Sequence, residues 1–238
     1  MIATINQLRR SFAMRGTIGT LQMCAVGVME RLRPAARRIE SLRQEADAAF
    51  DHEWNVDTGG LFRPTENDVQ GNNWRYGIRY QGVDSKELAS VLSCLDIYYP
   101  EFTFVDFGSG KGRAVLVASG FPFKNIIGVE YCEDLNRIAR QNLVRHPVSE
   151  RRCNGIDLVN ADAAGFAIPE GPLVLFLFNP FARPVMQQVV RNVHTSYRAN
   201  PRRIIVIYFT PYEADLWNGT GIFKRIEDTP AIFDTGCF

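Results

Sequence analysis

Histidine is scarce in this chain, with three in 238 residues: His52, His146 and His194. None stands beside another histidine or a cysteine, so the spacing of a zinc site is absent. The five cysteines, Cys24, Cys94, Cys132, Cys153 and Cys237, form no C-x-x-C pair. An odd, dispersed set suits a reducing compartment better than a disulfide framework. No excess of one charge exists either, since 27 Lys and Arg oppose 26 Asp and Glu. Nucleic-acid binders carry a clear basic excess, so no specific nucleic-acid partner is expected. No apolar run reaches the roughly 18 residues of a membrane span. The nearest, TIGTLQMCAVGVME at 17–30, is interrupted by Gln22 and two glycines. As a secretory signal behind Arg9 and Arg10 it is weak, because Arg15 splits it from the basic pair. The expected location is cytoplasmic.

What is present is an ordinary globular composition, 46% hydrophobic and 22% charged. Residues 1–50 hold eight arginines against four acids. Their stretch RLRPAARRIESLRQEADAAF repeats Ile39, Leu42, Ala46 and Ala49 at helical spacing. This predicts a basic helical N-terminal extension, solvated and packed on the main domain, or else facing anionic lipid or an acidic partner. Residues 51–100 follow as a lid and a first helix. The irregular part, 51–82, carries two Trp and two Tyr, too many for a linker. Asp84 or Ser85 caps a helix whose stripe is Leu88, Val91, Leu92 and Leu95.

From 101 to 238 strands and helices alternate. Strands are predicted at 102–107, 125–130, 156–162, 173–179 and 202–210, and helices at 111–119, 133–146 and 183–198. Two short strands follow at 223–228 and 231–236. LVLFLFN, the fourth strand, is apolar without interruption, as a strand covered on both faces must be. The alternation argues for a doubly wound α/β sheet.

The first of these strands runs into FVDFGSGKGRAV (104–115). A P-loop requires a Ser or Thr after Gly-Lys and an earlier glycine, where this chain has Gly112 and Val105. A dinucleotide loop wants a small third residue, and Arg113 stands there. What remains is Gly108, Gly110 and Gly112 behind Asp106, with Glu130 at the end of the second strand and Asp162 at the end of the third. Glu130 is placed for ribose hydroxyls and Asp162 for an adenine edge. Three acids make a poor pyrophosphate site. They suit an adenosyl ligand whose other end carries an ammonium and a sulfonium, which is S-adenosyl-L-methionine. Lys111 is expected to start the helix facing solvent or substrate.

FVDFGSGKGR, IIGVEYCEDLNRIARQN, the Asp162 segment and FLFNPF, taken in order, resemble a class I S-adenosylmethionine-dependent methyltransferase over about residues 76–211. The D-x-G-S-G-x-G and F-x-x-N-x-F forms are similar to a bacterial group of mostly unassigned substrate and, more distantly, to the non-SET histone lysine methyltransferases. The resemblance implies a seven-stranded Rossmann-like methyltransferase sheet at 101–238 with S-adenosyl-L-methionine as cofactor and no metal. It puts Asp106 near the methionine ammonium, and Gly108, Ser109, Gly110 and Gly112 where the backbone approaches the methionyl part. It gives Glu130 the ribose and Asp162 the adenine N6, and has Tyr80 close over the methionine end.

Strand 4 should end at the transferred methyl group, and it ends Asn179-Pro180-Phe181. Amino-methylating relatives carry [DNS]-P-P-[YFW] there, so this chain is one proline short. Asn179 either contacts the acceptor or shapes a turn, and Phe181 either packs in the core or lines the acceptor slot. No general base is evident: His146 and His194 read as surface residues outside the cleft, while His52 and Asp57 are within reach of it only if 51–82 folds over the site. The resemblance implies a protein or small-molecule methyl acceptor, with N-methylation of protein lysine first. O-methylation of a small molecule or glycan, and a non-catalytic cofactor-binding scaffold, are the alternatives. A nicotinamide dehydrogenase is disfavoured by Arg113.

Overall fold

The computed structural model describes residues 34, 37–62, 80–228 and 230–236. The arginine-rich start, the segment weighed as a signal, the Trp74–Tyr76 stretch of the lid, Cys24 and Cys237 lie outside the described residues. Two compact units divide at Ala46 and Asp47. In the smaller, 37–46 are helical, with Ile39 and Leu42 exposed.

In the larger unit a first helix, α1 (47–54), leads to an extended strap that reaches 62. Then come α2 (Ser85–Ser93), β1 (Thr103–Phe107), α3 (Arg113–Ser119), β2 (Asn125–Glu130), α4 (Glu133–Arg145), β3 (Ile156–Asn160), β4 (Leu173–Phe178), α5 (Arg183–Ala199), β5 (Ile204–Phe209), α6 (Ala214–Asn218), β6 (Lys224–Asp228) and β7 (Ala231–Asp234). Asp84 starts α2 by accepting from the N–H of Lys86 and Glu87, both at 2.9 Å, a cap that contributes about 1 kcal/mol. Helix α3 begins two residues later than its sequence suggests. Gly112 sits at φ 87°, a left-handed conformation that cannot continue the loop into a helix any sooner.

The strands form one seven-stranded sheet in the order β3-β2-β1-β4-β5-β7-β6. Strands β1 to β5 run parallel, and β7 runs antiparallel between β5 and β6. This is the doubly wound, Rossmann-like sheet that the alternation predicts. Alternate residues of the central strands serve opposite layers. Phe104, Val174, Phe176, Ile205 and Ile207 pack with Leu88, Leu92, Val115 and Ala118 of α2 and α3. Val105, Leu175, Leu177, Val206 and Tyr208 pack with Val185, Met186, Val189 and Val193 of α5. The outer strand β6 is charged and exposed, with Lys224, Arg225, Glu227 and Asp228, which blunts the sheet edge. Among the described residues no helix is long and apolar enough to cross a membrane.

The chain winds outward from β1 through β2 to β3, then returns to lay β4 on the other side of β1. A crevice opens at such a switch point, outside the carboxyl ends of the strands. The glycine loop after β1, Glu130 at the end of β2 and Asn179 after β4 all lie at that end.

Candidate functional site

The glycine loop is built from residues that a side chain would disrupt. Gly108 and Gly110 have φ of 78° and 53°. A Cβ on Gly108 would lie 2.5 Å from the Pro180 side chain, so the β1 and β4 loops touch there. A Cβ on Gly110 would lie 2.1 Å from the Tyr80 ring, whose Cδ2–Cε2 edge abuts the loop. The loop is pinned to the end of β2 through its own N–H groups. Gly108 and Ser109 donate to the Val129 carbonyl at 2.9 and 3.1 Å. Gly110 donates to Oε2 of Glu130 at 2.8 Å. Ser109 is buried and its hydroxyl has no hydrogen-bond partner.

Two carboxylates stand behind this loop, Asp106 and Glu130, each 3% exposed. Glu130 accepts from the N–H of Gly110 and of Cys132 (2.9 Å), and burial outweighs these bonds to push its carboxyl up to about 7. Among the described residues no hydrogen-bond donor reaches Asp106. Burial, and then the Glu130 charge, hold it well above the usual carboxylate range. Among the described residues neither acid has an ion pair with a cation, and burial raises both.

Asp162 accepts from the Ala164 N–H at 2.9 Å, capping a short turn after β3. It also lines a small apolar cleft with Gly108, Val129, Tyr131, Ala163, Phe181 and Val185. The ends of β1, β2 and β3 and the start of α5 thus share one apolar cleft beside the paired acids. Phe181 fills both of its expected places, packing in the core of the α5 face while lining the cleft.

Asn179 is one of three non-glycine residues with positive φ, at 42°. Asparagine tolerates this region far better than most side chains, so the turn role is met. Its amide oxygen accepts from the Tyr208 hydroxyl at 3.5 Å, and that hydroxyl accepts from the Glu213 N–H at 3.4 Å. Arg183, in the first turn of α5, ties the same loop by bonding Glu213 at 2.5 Å and Asp215 at 2.6 Å. Helix α5 is capped by Ala182 without a side-chain bond, so Asn179 is not its N-cap.

Lys111 departs from expectation. Its ammonium donates to Asp57 at 2.7 Å and to the Gly59 carbonyl at 2.8 Å, so it faces the strap and neither solvent nor the cleft. Arg113 also turns away from the sheet. Buried to 3% exposure, it donates through Nε to Thr58 Oγ1 at 2.8 Å, through Nη1 to Asp47, and lies 3.7 Å from Asp51. Its length therefore does not obstruct helix packing. Asn142 of α4 completes the clamp: it accepts from the Asp57 N–H at 2.8 Å and donates to the carbonyls of Asp57 (2.7 Å) and Lys111 (2.9 Å). Sequence reasoning missed Asn142, Asp47 and Asp51, and considered Asp57 only as a group within reach of the cleft, whereas it pairs with Lys111. The available signal was Asp47, Asp51 and Asp57 recurring before a loop with two cations of its own.

His146 is a second correction. It is 1% exposed, stacked on Trp54 at 4.6 Å, and burial and then Arg151 lower its pKa. It caps the C-terminus of α4, where the Trp54 ring of α1 covers it. His52 is exposed, and His194 is half-buried on α5.

No protein-family model matches the chain, and no curated protein matches it. Solved structures resemble it in fold. One is a protein of Methanococcus maripaludis provisionally described as an S-adenosyl-L-methionine-dependent methyltransferase, 14% identical, with 63% of this chain and 82% of that chain covered at a TM-score of 0.46. Another is a ribosomal RNA methylase from Streptococcus thermophilus, 12% identical, covering 63% and 90% at 0.42. A third is the glycopeptide N-methyltransferase MtfA in complex with sinefungin, 12% identical, covering 52% and 49% at 0.39. The chain spans about half the length of this last protein.

Proposed function

We propose that the chain is an S-adenosyl-L-methionine-dependent methyltransferase, and that protein lysine nitrogen is its first acceptor. The observation that carries the reading is the Asp106–Glu130 pair: two buried acids without a cation among the described residues, at the strand ends beside an apolar cleft. A ligand with an ammonium and a ribose fits these acids, and a phosphate does not. Lys111 and Arg113, the cations that would draw a phosphate, are committed to the strap.

Asp106 would hold the amino-acid ammonium, Glu130 the ribose hydroxyls, and Asp162 with Phe181 and Tyr131 the adenine. When bound, the cofactor supplies a methyl group already activated for displacement. The protein's part is then to align the acceptor and exclude water. Asn179 and the Pro180 carbonyl offer acceptors for the N–H groups of an incoming amine, which must arrive neutral. An amine that sheds its proton to water needs no protein base, and among the described residues no histidine lines the cleft. The N-P-F end of strand 4 also supports the distant likeness to the non-SET histone lysine methyltransferases and the bacterial group. O-methylation of a small molecule or glycan is the second reading, favoured by the missing second proline. A non-catalytic cofactor-binding scaffold would have no reason to keep a strained Asn179 at the site. We further read the protein as cytoplasmic, with the arginine-rich residues 1–50 available to an acidic partner or anionic lipid.

Calorimetry should detect S-adenosylhomocysteine binding, and Glu130→Ala should weaken it at least tenfold. A protein that binds neither this product nor S-adenosylmethionine is not a methyltransferase. Tritiated methyl transfer into cell extract, split into protein and small-molecule fractions, then tests the acceptor. Counts confined to small molecules reject protein lysine.

A further inference from the structure

Two segments meet over Gly110, and a single buried guanidinium joins them. Arg113 follows the last glycine of the loop. Besides Thr58, Asp47 and Asp51 it reaches the Val83 carbonyl at 3.3 Å. Its flat head lies against Gly82, where a Cβ would come within 2.6 Å of Cζ, and over the Phe50 ring at 5.1 Å. Nothing about this packing tolerates a second orientation.

Thr58, fully buried, is the hub. Its hydroxyl accepts from Arg113 and donates to Asp51 at 2.5 Å. Asp51 fixes the surrounding backbone by accepting from the N–H of Thr58 (2.9 Å) and Gly59 (2.8 Å). The Thr58 carbonyl accepts from the Tyr80 hydroxyl at 2.6 Å. Tyr80 then lies on Gly110, whose N–H is bonded to Glu130. The path Arg113–Thr58–Tyr80–Gly110 leaves the loop and returns to it. Burial pushes the Tyr80 phenol up, so it remains a neutral donor throughout the physiological range.

We propose that Arg113 is a positioning residue for the amino-acid end of the cofactor, acting through Thr58 to hold the Tyr80 ring over Gly110. This rests on the methyltransferase reading above. Arg113 touches no ligand. The ionic cluster costs desolvation that an apolar contact would avoid, but it fixes one geometry at the strap where an apolar contact would allow several. The adenosine half is held elsewhere, in the cleft of Asp162 and Phe181. A defect in the path should therefore reach one half of the ligand only.

Thr58→Val keeps the shape and removes the hydroxyl; Tyr80→Phe keeps the ring and removes the bond to Thr58. Both are compared with the unmodified protein by calorimetry, using S-adenosylhomocysteine and 5′-methylthioadenosine, which lacks the amino-acid end. Each variant should lose at least fivefold in affinity for S-adenosylhomocysteine and less than twofold for methylthioadenosine, with melting curves that retain a cooperative transition. Equal loss for both ligands would make the path a general support of the fold and overturn the inference. So would unchanged affinity for both. An unmodified protein that binds neither ligand would remove the methyltransferase reading, and with it the inference.

Discussion

The loop from Gly108 to Arg113 has two sides that differ in how their polar groups are satisfied. Toward the strap, every charge has its counter-charge: Lys111 is bonded to Asp57 and Gly59, Asn142 to Asp57, and Arg113 to Thr58 and Asp47, with its Nη2 left without a hydrogen bond but 3.7 Å from Asp51. Toward the cleft, the Asp106 carboxylate has no donor among the described residues, and Glu130 is held against the cost of burial. Both sides are buried and charged, so neither burial nor charge separates structure from function. Satisfaction does. A closed network is finished when the chain folds, whereas buried acids with no cation are complete only when something else arrives.

If the strap side is structural, breaking it should cost stability first. Arg113→Met leaves the half-buried Asp47 and Asp51 without their cation, and removing the buried partner of such a cluster costs up to about 3 kcal/mol, at the low end of what a fully buried pair loses. Urea unfolding should show a loss of that size. Asp47 has its ion pair with Arg113, so Asp47→Asn added to Arg113→Met should restore part of the loss. A single variant within about 0.5 kcal/mol of the original protein, the range of an ordinary surface change, would put the two sides of the loop on the same footing.

The cleft side should respond to pH instead. A carboxyl whose pKa is raised on folding holds its proton more tightly in the folded chain. The unliganded protein therefore loses stability as pH rises from the ordinary carboxylate range through about 7, the value for Glu130. Ligand binding runs the other way, because an ionised Glu130 can accept from both ribose hydroxyls and an ionised Asp106 can pair with the ligand's ammonium. With a pKa near 7, S-adenosylhomocysteine should bind about tenfold more tightly at pH 8 than at pH 6, with proton release on binding. Glu130→Gln should flatten the profile, leaving the slope due to Asp106. Calorimetry in buffers of different ionisation enthalpy counts the protons, and an affinity independent of pH across this range would deny the pair its role.

Much of this arrangement is legible in the residues. The alternating strands show because β4 and β5 are continuous apolar runs that no other context tolerates, and β2 falls on its predicted bounds. The order of acids along the chain, Asp106, Glu130 and Asp162, is visible because each ends a strand. What sequence could not supply is the direction of a long side chain. Lys111 and Arg113 sit in the loop by number, yet the strap that claims them lies more than fifty residues earlier. His146 shows the same limit, since its burial depends on Trp54 of α1 stacking on it. Non-local partners of this kind leave no periodicity, and α6 is too short to show one.

Asn179 combines both kinds of evidence in one residue, and the smallest predicted effect concerns it. At φ 42° its backbone is strained for any residue with a Cβ, though less for asparagine than for alanine. Its amide faces Tyr208 with a long bond of 3.5 Å, too weak to be the reason for its presence. Asn179→Ala and Asn179→Gly both remove the amide, but only alanine keeps the strain. The two should differ in stability by about 1 kcal/mol, with glycine the more stable. If the amide serves the acceptor, both should lose methyl transfer alike, into whichever fraction takes up tritium, and bind S-adenosylhomocysteine within twofold of the original protein. Transfer that survives in the glycine variant would assign Asn179 to the turn alone and leave the acceptor to the Pro180 carbonyl and Phe181.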